Sequence, residues 1–167
     1  MQDEIFIAAQ KGDTLSLRKY LYDKPQLVGA YSPDGWTPLH LAAHFGHLET
    51  AKELVTEGAE VNSVSKNEMA NNPLHAAVAG NHTAMVAFLI DSGAEVNNRQ
   101  HGGWTPLHGA VQNGNLGMVR LLVENGADVN ITNDDGVSAV SLALAKKFGH
   151  IAEYLISKGA RQTTDIK

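Results

Sequence analysis

The feature that most constrains this 167-residue chain is an internal repeat of about 33 residues. Gly-Ala pairs recur at spacings of 35, 33 and 33 residues, beginning at Gly58, Gly93, Gly126 and Gly159. Three of them continue as Gly-Ala-acid-Val-Asn and end at Asn62, Asn97 and Asn130. A second motif, Thr/Asn-Pro-Leu-His, recurs with the same period at residues 37–40, 72–75 and 105–108. Two markers with one period predict an array of similar units that bury apolar surface by stacking.

Each unit is predicted to contain two helices joined by a turn. Thr37 and Thr105 precede a proline and are suited to cap a helix, and Asn72 is an equivalent cap. Gly46, Gly114 and, in the same register, Asn81 suit the left-handed conformation that ends a helix. The second helices carry apolar residues at helical spacing. These include Leu48, Ala51, Leu54, Val55, Val86, Leu89, Ile90, Leu116, Val119, Leu122 and Val123.

The two ends depart from this pattern, as expected of capping repeats with one unpaired face. Residues 1–33 keep Ile5, Ala8 and Gly12 in register but lack both motifs. In the last unit Gly149-His150 falls two or three residues late, so we expect a reshaped turn there. The sequence therefore predicts a single domain of five repeats, at about 1–33, 34–67, 68–101, 102–134 and 135–167.

These residues and motifs resemble the ankyrin repeat family over nearly the whole chain, most closely across residues 34–130. The resemblance implies an all-α solenoid of helix-turn-helix pairs with β-hairpin-like finger loops and capping repeats at both ends. It also implies a non-catalytic module that binds a partner protein through its concave face and finger loops. A structural or scaffold subunit of a larger assembly is the alternative, because a fold leaves the function of its surface open.

Composition narrows the class of partner. The chain has 13 basic and 18 acidic residues, a net charge of −5, which argues against general nucleic-acid binding. Residues 34–134 alone carry −7, which favours a basic partner unless these charges merely solvate helix surfaces. There is no cysteine, and neither a signal peptide nor an apolar run long enough for a membrane span is recognised. We therefore expect a cytoplasmic monomer with no membrane or nucleic-acid partner.

The sequence gives little support for a catalytic or metal-binding site. The resemblance gives His40, His75 and His108 a structural bond to the capping residue and to neighbouring backbone, and His47, His82 and His150 are expected in the turns between helices. His44 and His101 remain but lie in different repeats, whereas a zinc site needs three or four convergent ligands. No Gly-x-Ser-x-Gly elbow or phosphate-binding loop occurs. We predict no enzyme activity, no metal and no cofactor; an unrecognised site using His44 or His101 is the rival hypothesis.

The candidate contact residues follow from the register of the family's concave face. They are Asp34, Trp36, His44, Phe45, Met69, Asn71, His101, Trp104, Gln112, Asn113, Asp135 and Val137. The only two tryptophans occupy equivalent positions and are interpreted either as hot-spot residues or as packing on the finger stem. Phe45 has the same two interpretations, contact with a partner or packing against the adjacent repeat.

One finger differs in length from the others. Asn62 and Pro73 are 11 residues apart, whereas Asn97 and Pro106 are 9 apart, so the finger at residues 63–72 has two extra residues. Insertions in repeat arrays often fall on the binding face, and Met69 would supply an adaptable apolar contact. Neutral drift in loop length is the other interpretation.

Overall fold

The structure is a computed structural model that describes residues 3–162. Over this range it contains ten α-helices and one isolated antiparallel bridge, between Thr132 and Ser138, so the predicted all-α fold is confirmed. Residues 1–2 and 163–167, at the ends of the first and last predicted repeats, lie outside the described part. The chain forms two compact units that divide between Glu95 and Val96. None of the helices in residues 3–162 has the length and apolarity needed to cross a bilayer.

One pair of helices falls within each predicted repeat. The first unit contains α1 (Asp3–Lys11), α2 (Thr14–Asp23), α3 (Pro38–Phe45), α4 (Leu48–Thr56), α5 (Pro73–Ala79) and α6 (Thr83–Asp91). The second unit contains α7 (Pro106–Gln112), α8 (Leu116–Glu124), α9 (Ala139–Ala145) and α10 (Gly149–Ser157). Short 3-10 turns cover Pro25–Gly29 and His101–Gly103.

The repeated Thr/Asn-Pro-Leu-His motif starts the first helix of a pair. Thr37 Oγ1 accepts the backbone N–H of His40 at 3.3 Å, and Asn72 Oδ1 accepts that of His75 at 3.1 Å. At Thr37 and Thr105 the contact is reciprocal, because their own amides donate to His40 Nδ1 at 3.3 Å and to His108 Nδ1 at 3.2 Å. Each cap satisfies an amide that has no partner within the helix, and the following proline has no amide to satisfy. The caps predicted at Thr37, Asn72 and Thr105 are confirmed.

The turn between paired helices keeps one geometry in every motif-bearing repeat and in the last one. Gly46, Asn81, Gly114 and Lys147 all have left-handed φ angles, of 76°, 61°, 65° and 62°. The amide of the next residue then bonds back to the helix, as in His47 N to Ala42 O and Phe148 N to Ala143 O, both 2.9 Å. This confirms the conformations predicted at Gly46, Asn81 and Gly114.

The expected reshaping of the last turn is wrong. Lys147 takes the left-handed position 33 residues after Gly114, so the period continues unchanged and Gly149-His150 begins α10. His150 is consequently an exposed residue in the first turn of a helix, with a side chain 92% accessible, and does not lie in the turn between helices. The turn follows the spacing of apolar residues such as Ala143 and Ile151, because their burial fixes where each helix must lie.

In the first unit, small residues allow the inner helices α1, α3 and α5 to stack closely. Ala42 and Ala43 of α3 and Ala76 and Ala77 of α5 are fully buried. Leu17 of α2, Leu54 of α4 and Leu89 of α6 are also fully buried and fill the space behind them. Burial of these side chains across successive pairs supplies the stability that a single pair lacks.

The second unit repeats this arrangement with α7 beside α9 and α8 beside α10. Ala110 and Ala143 are the fully buried small residues of its first helices, and Met118, Leu122 and Leu155 fill the second layer. The first unit therefore contains three helix pairs with this packing of small and large buried side chains, and the second unit contains two.

The asparagine that ends each Gly-Ala-acid-Val-Asn motif hydrogen-bonds to the backbone of the corresponding Gly-Ala segment in the following repeat. Asn62 Nδ2 donates to Gly93 O at 3.0 Å, while its Oδ1 accepts the amide of Glu95 at 2.9 Å. In the second unit Asn97 bonds in the same way to Gly126 O, at 3.0 Å, and to the amide of Asp128, at 2.8 Å. Both polar ends of one amide are used, which explains why asparagine recurs at this position.

Candidate functional site

The fingers between repeats are hairpins closed by a backbone hydrogen bond. In three of them the bonded residues are four apart: Ser32 and Trp36, Gln100 and Trp104, Asn133 and Val137. In the remaining finger Ser65 N donates to Asn71 O at 2.8 Å across six residues. The two extra residues predicted for residues 63–72 therefore lie inside this hairpin.

The long finger is tied to the finger before it. Lys66 N donates to Gly35 O at 2.8 Å, and Asn67 Nδ2 donates to Asp34 O at 3.0 Å. The Lys66 ammonium lies 4.1 Å from the ring centroid of Tyr31, a distance at which the cation is attracted to the ring. Met69 is 45% exposed at the tip. The finger is thus an ordered surface that displays two large apolar side chains, Met69 and Val64, which is 51% exposed.

Asn71 is not a surface residue, contrary to its place among the candidate contacts. It is 5% exposed, its amide donates to Ser65 Oγ at 3.1 Å, and its carbonyl accepts from His40 Nε2 at 3.1 Å. Asn71 therefore closes the finger and holds the buried histidine. Its place in the register predicted an exposed side chain, whereas the side chain is buried within the longer hairpin.

The histidine of each motif links its own capping residue to the next finger. The amide of Thr37 donates to His40 Nδ1 at 3.3 Å, so His40 Nε2 carries the proton donated to Asn71. His108 repeats this arrangement, with Val137 O as the acceptor at 2.9 Å. Burial lowers the pKa of His40 to about 4 and also lowers the pKa of His108. Both are neutral structural groups, as the resemblance implied.

Trp36 and Trp104 pack edge-on against these histidines. The ring centroids of Trp36 and His40 are 5.5 Å apart at 77°, and those of Trp104 and His108 are 5.5 Å apart at 71°. Both tryptophans are half-buried. Each therefore packs on the stem of its finger while keeping part of its surface accessible, so the two interpretations made from the sequence are compatible.

In the first unit the aromatic packing continues along α3. His44 lies 6.4 Å from Trp36 and 5.0 Å from Phe45, and Phe45 stacks on His47 at 6.5 Å. Phe45 is 42% exposed. We call Trp36, His44, Phe45 and His47 the aromatic cluster. It brings together three of the predicted contact residues on one helix and its finger.

Asp34 lies beside the aromatic cluster, at the exposed tip of the first finger. Asp34 and Trp36 line a common cavity, together with residues of α1.

The second unit presents a different surface at the equivalent positions. Gln112 and Asn113 stand where His44 and Phe45 stand in α3, and both are exposed. His101 and Asp135 are exposed in their fingers, and Val137 is half-buried with its carbonyl bonded to His108. These side chains are polar apart from Trp104 and Val137, so this surface offers hydrogen bonds with little apolar area.

Sequence reasoning missed the contribution of α1 to the surface of the first unit. Ile5, Ala8 and Ala9 form the buried stripe of this helix, whereas Ile7 lies off the stripe and is 47% exposed. Ile7 and Asp3 line the cavity that also contains Asp34 and Trp36. An isoleucine outside the helical stripe was the signal available in the sequence.

Within the described residues, no group of three or more His, Asp or Glu side chains is arranged to hold a metal ion. His44 is adjacent to aromatic rings, and its Nδ1 is buried without a hydrogen-bond partner. The accessible groups around the aromatic cluster are aromatic rings and the Asp34 carboxylate, which suit recognition of another molecule's side chains.

Comparisons with known proteins agree with this architecture. The family described as ankyrin repeats (3 copies) matches residues 5–100 and 96–165. Human ankyrin repeat domain-containing protein 49 is 40% identical over 58 residues, which are 35% of this chain and 24% of that protein. Human oxysterol-binding protein-related protein 1 is 61% identical over 28 residues, 17% of this chain and 3% of that protein. The serine/threonine-protein kinase VIK of Arabidopsis thaliana is 40% identical over 55 residues, 33% of this chain and 13% of that protein.

The matched segments thus span a quarter or less of each of these relatives. The family match, in contrast, covers most of the chain and includes nine of the ten described helices whole and α1 from Ile5 onward. Together with the capped helix pairs, the left-handed turns and the hairpin fingers, it shows that this chain belongs to the ankyrin repeat family.

Proposed function

We propose that this chain is a non-catalytic protein-binding module that holds its partner on the fingers and inner helices of the first unit. The aromatic cluster carries the proposal. Partly exposed Trp36 and Phe45 form one packed group on α3 and its finger, and large aromatic side chains dominate binding energy at protein interfaces. Asp34 and Met69 extend this surface along the two fingers of the unit.

Family membership supports the general part of the proposal. Ankyrin repeats generally serve as protein–protein interaction modules and are typically non-catalytic. The predicted contacts of the second unit, namely His101, Trp104, Gln112, Asn113, Asp135 and Val137, stay predictions. The monomeric state and the cytoplasmic location also stay predictions from the sequence.

The binding mechanism we propose is docking onto a preformed surface. The rings of the cluster are held by packing on one another and on His40, whose own hydrogen bonds run to Thr37 and Asn71. Side chains held in place before binding lose little conformational entropy when a partner arrives. The net charge of −7 over residues 34–134 supports a partner that presents basic side chains.

Affinity capture from an extract of the native cell tests the proposal. The bait is the full chain, and the variant carries Trp36→Ala with Phe45→Ala. A matched control carries Leu15→Ala with Tyr22→Ala, which removes side chains that are 78% and 88% exposed on α2. We expect the control to retain the captured protein and the double variant to lose it.

Thermal unfolding of both variants accompanies the capture experiment, because Trp36 also packs on His40. The proposal requires that the double variant remain folded at the capture temperature. Equal capture by wild type and the double variant would place the contact surface outside the aromatic cluster.

A further inference from the structure

A small cavity opens in the first unit between α1 and the finger at residues 32–36. Its volume is about 190 Å³, and its lining includes Asp3, Ile7, Gln10, Asp34, Trp36 and Leu41. Sites for small-molecule ligands usually enclose about 300–1,000 Å³. The cavity is therefore of a size for one side chain of a partner.

The walls of this cavity are largely apolar and aromatic, with Gln10 and Ser32 as their uncharged polar members. Ile7 is 47% exposed, and Leu41 and the Trp36 ring are half-buried beside it. Such walls suit the methylene stem of a long side chain, which buries apolar area while its polar head stays at the opening. The face of an indole ring such as that of Trp36 also attracts cations.

The opening of the cavity is acidic. Asp3 and Asp34 are both exposed, and neither carboxylate takes part in an ion pair among residues 3–162. No Lys or Arg is present among the described residues that line the cavity. The negative charge of these two carboxylates is therefore available to a cationic group from outside.

We infer that this cavity receives an arginine side chain from a short segment of the partner protein. The inference rests on the proposed function and names one part of the partner. A guanidinium group stacks on an aromatic face and presents a planar set of donors to carboxylates, whereas the lysine ammonium is a point charge. Arginine thus matches the carboxylates, the indole ring and the apolar wall together.

A peptide titration followed by two-dimensional 1H–15N NMR of the full chain tests the inference. The probe is acetyl-Leu-Arg-Leu-amide, and its control is the citrulline analogue, which has nearly the same shape without the charge. The chain has only two tryptophans, so the indole N–H signals of Trp36 and Trp104 report separately on the cavity and on the second unit. We expect saturable shifts of the Trp36 signal with the arginine peptide and none with the citrulline peptide.

Two variants test which carboxylate contributes to peptide binding. Asp34→Asn keeps the backbone bond to Asn67 and should weaken peptide binding about threefold or more, in line with an exposed charge pair. Asp91→Asn removes an exposed carboxylate at the end of α6 and should leave binding unchanged. Equal binding of the citrulline peptide, parallel shifts of the Trp104 signal, or unchanged binding to Asp34→Asn would each overturn the inference.

These outcomes are separable from those of the capture experiment. Capture that depends on Trp36 and Phe45, combined with no preference for the arginine peptide, would reject the cavity and leave the proposed function standing. Specific binding of the arginine peptide, combined with capture unaffected by the double variant, would reject the aromatic cluster as the contact surface and show that the cavity binds arginine without being the docking site of the captured partner.

Discussion

The second and fourth repeats share the same frame, meaning the buried and hydrogen-bonded residues that form the repeat, and differ in their exposed side chains. Both contain Trp-Thr-Pro-Leu-His, with the same cap, the same buried histidine and a tryptophan 5.5 Å from that histidine. At the end of the helix the second repeat has His44 and Phe45, whereas the fourth has Gln112 and Asn113. The frame is set by burial and hydrogen bonding, while these exposed positions are free to vary. The difference therefore separates the residues that make the fold from those that can select a partner.

The frame predicts equal, large losses of stability from matched core truncations in the two repeats. Leu54 and Leu122 are equivalent and fully buried. Replacing either by alanine removes buried methyl groups and leaves a cavity, so each change should lower the free energy of unfolding by roughly 2–5 kcal/mol. Denaturant unfolding followed by circular dichroism measures this. A negligible loss at Leu54 would show that the second repeat does not share the packing described.

The buried histidines predict that both repeats lose stability in acid. The pKa of His40 is lowered from 6.5 to about 4, so between these values the unfolded chain binds a proton that the folded chain does not. The stabilisation is complete above pH 6.5 and is lost as pH falls toward 4, by about 3 kcal/mol for His40 alone. His108 should contribute in the same direction, because burial lowers its pKa too.

Unfolding free energies measured from pH 7.5 to pH 4 check this. Either His40→Gln or His108→Gln should flatten the slope while lowering stability at neutral pH. A slope that neither substitution alters would show that other groups cause the acid sensitivity.

Exchanging the residues at the ends of the first helices tests whether the second repeat, and not the fourth, contacts the partner. Phe45→Asn gives the second repeat the residue of the fourth, and we expect about tenfold weaker binding of the captured partner with little change in melting temperature. Asn113→Phe is the reciprocal change and should leave binding close to that of the wild type. Isothermal titration calorimetry with both variants measures it; a stronger effect from Asn113→Phe would move the proposed contact to the second unit.

The smallest expected effect concerns the turns that end the first helices of the fourth and fifth repeats. Gly114 and Lys147 both have left-handed φ angles, which cost a residue with a Cβ more than glycine. Lys147→Gly should therefore raise the free energy of unfolding by about 0.5–1 kcal/mol. Gly114→Ala should lower it, since an added Cβ would also lie 3.1 Å from the Phe148 ring. Parallel thermal and denaturant unfolding of both variants checks the opposite signs.

The sequence was sufficient to predict the helix caps and the left-handed turns, because burial and hydrogen bonding determine them. The caps at Thr37, Asn72 and Thr105 and the left-handed turns followed from residue chemistry at a fixed period. The prediction for the last turn is wrong because Gly149 does not mark that turn; Lys147 has the left-handed conformation there instead.

The candidate surface was harder to predict than the frame. Asn71 lies in the hairpin with two extra residues, and the direction of its side chain depends on how that longer loop closes. The cavity beside Ile7 joins α1 to a finger more than twenty residues later, a proximity that arises only from stacking. Trp36, His44 and Phe45 were named from the register, but their packing into one cluster required the structure.

The most direct test of the central claim is an equilibrium titration of the captured partner against two matched double variants. One carries Trp36→Ala with Phe45→Ala, and the other carries Trp104→Ala with Asn113→Ala at the equivalent positions. Both should lose comparable stability from the tryptophan, whose ring centroid lies 5.5 Å from that of its histidine in each repeat. The account predicts at least about thirtyfold weaker binding for the first variant, the range of an interface hot spot, and near-native binding for the second. Near-native binding by the first variant with loss in the second would contradict it.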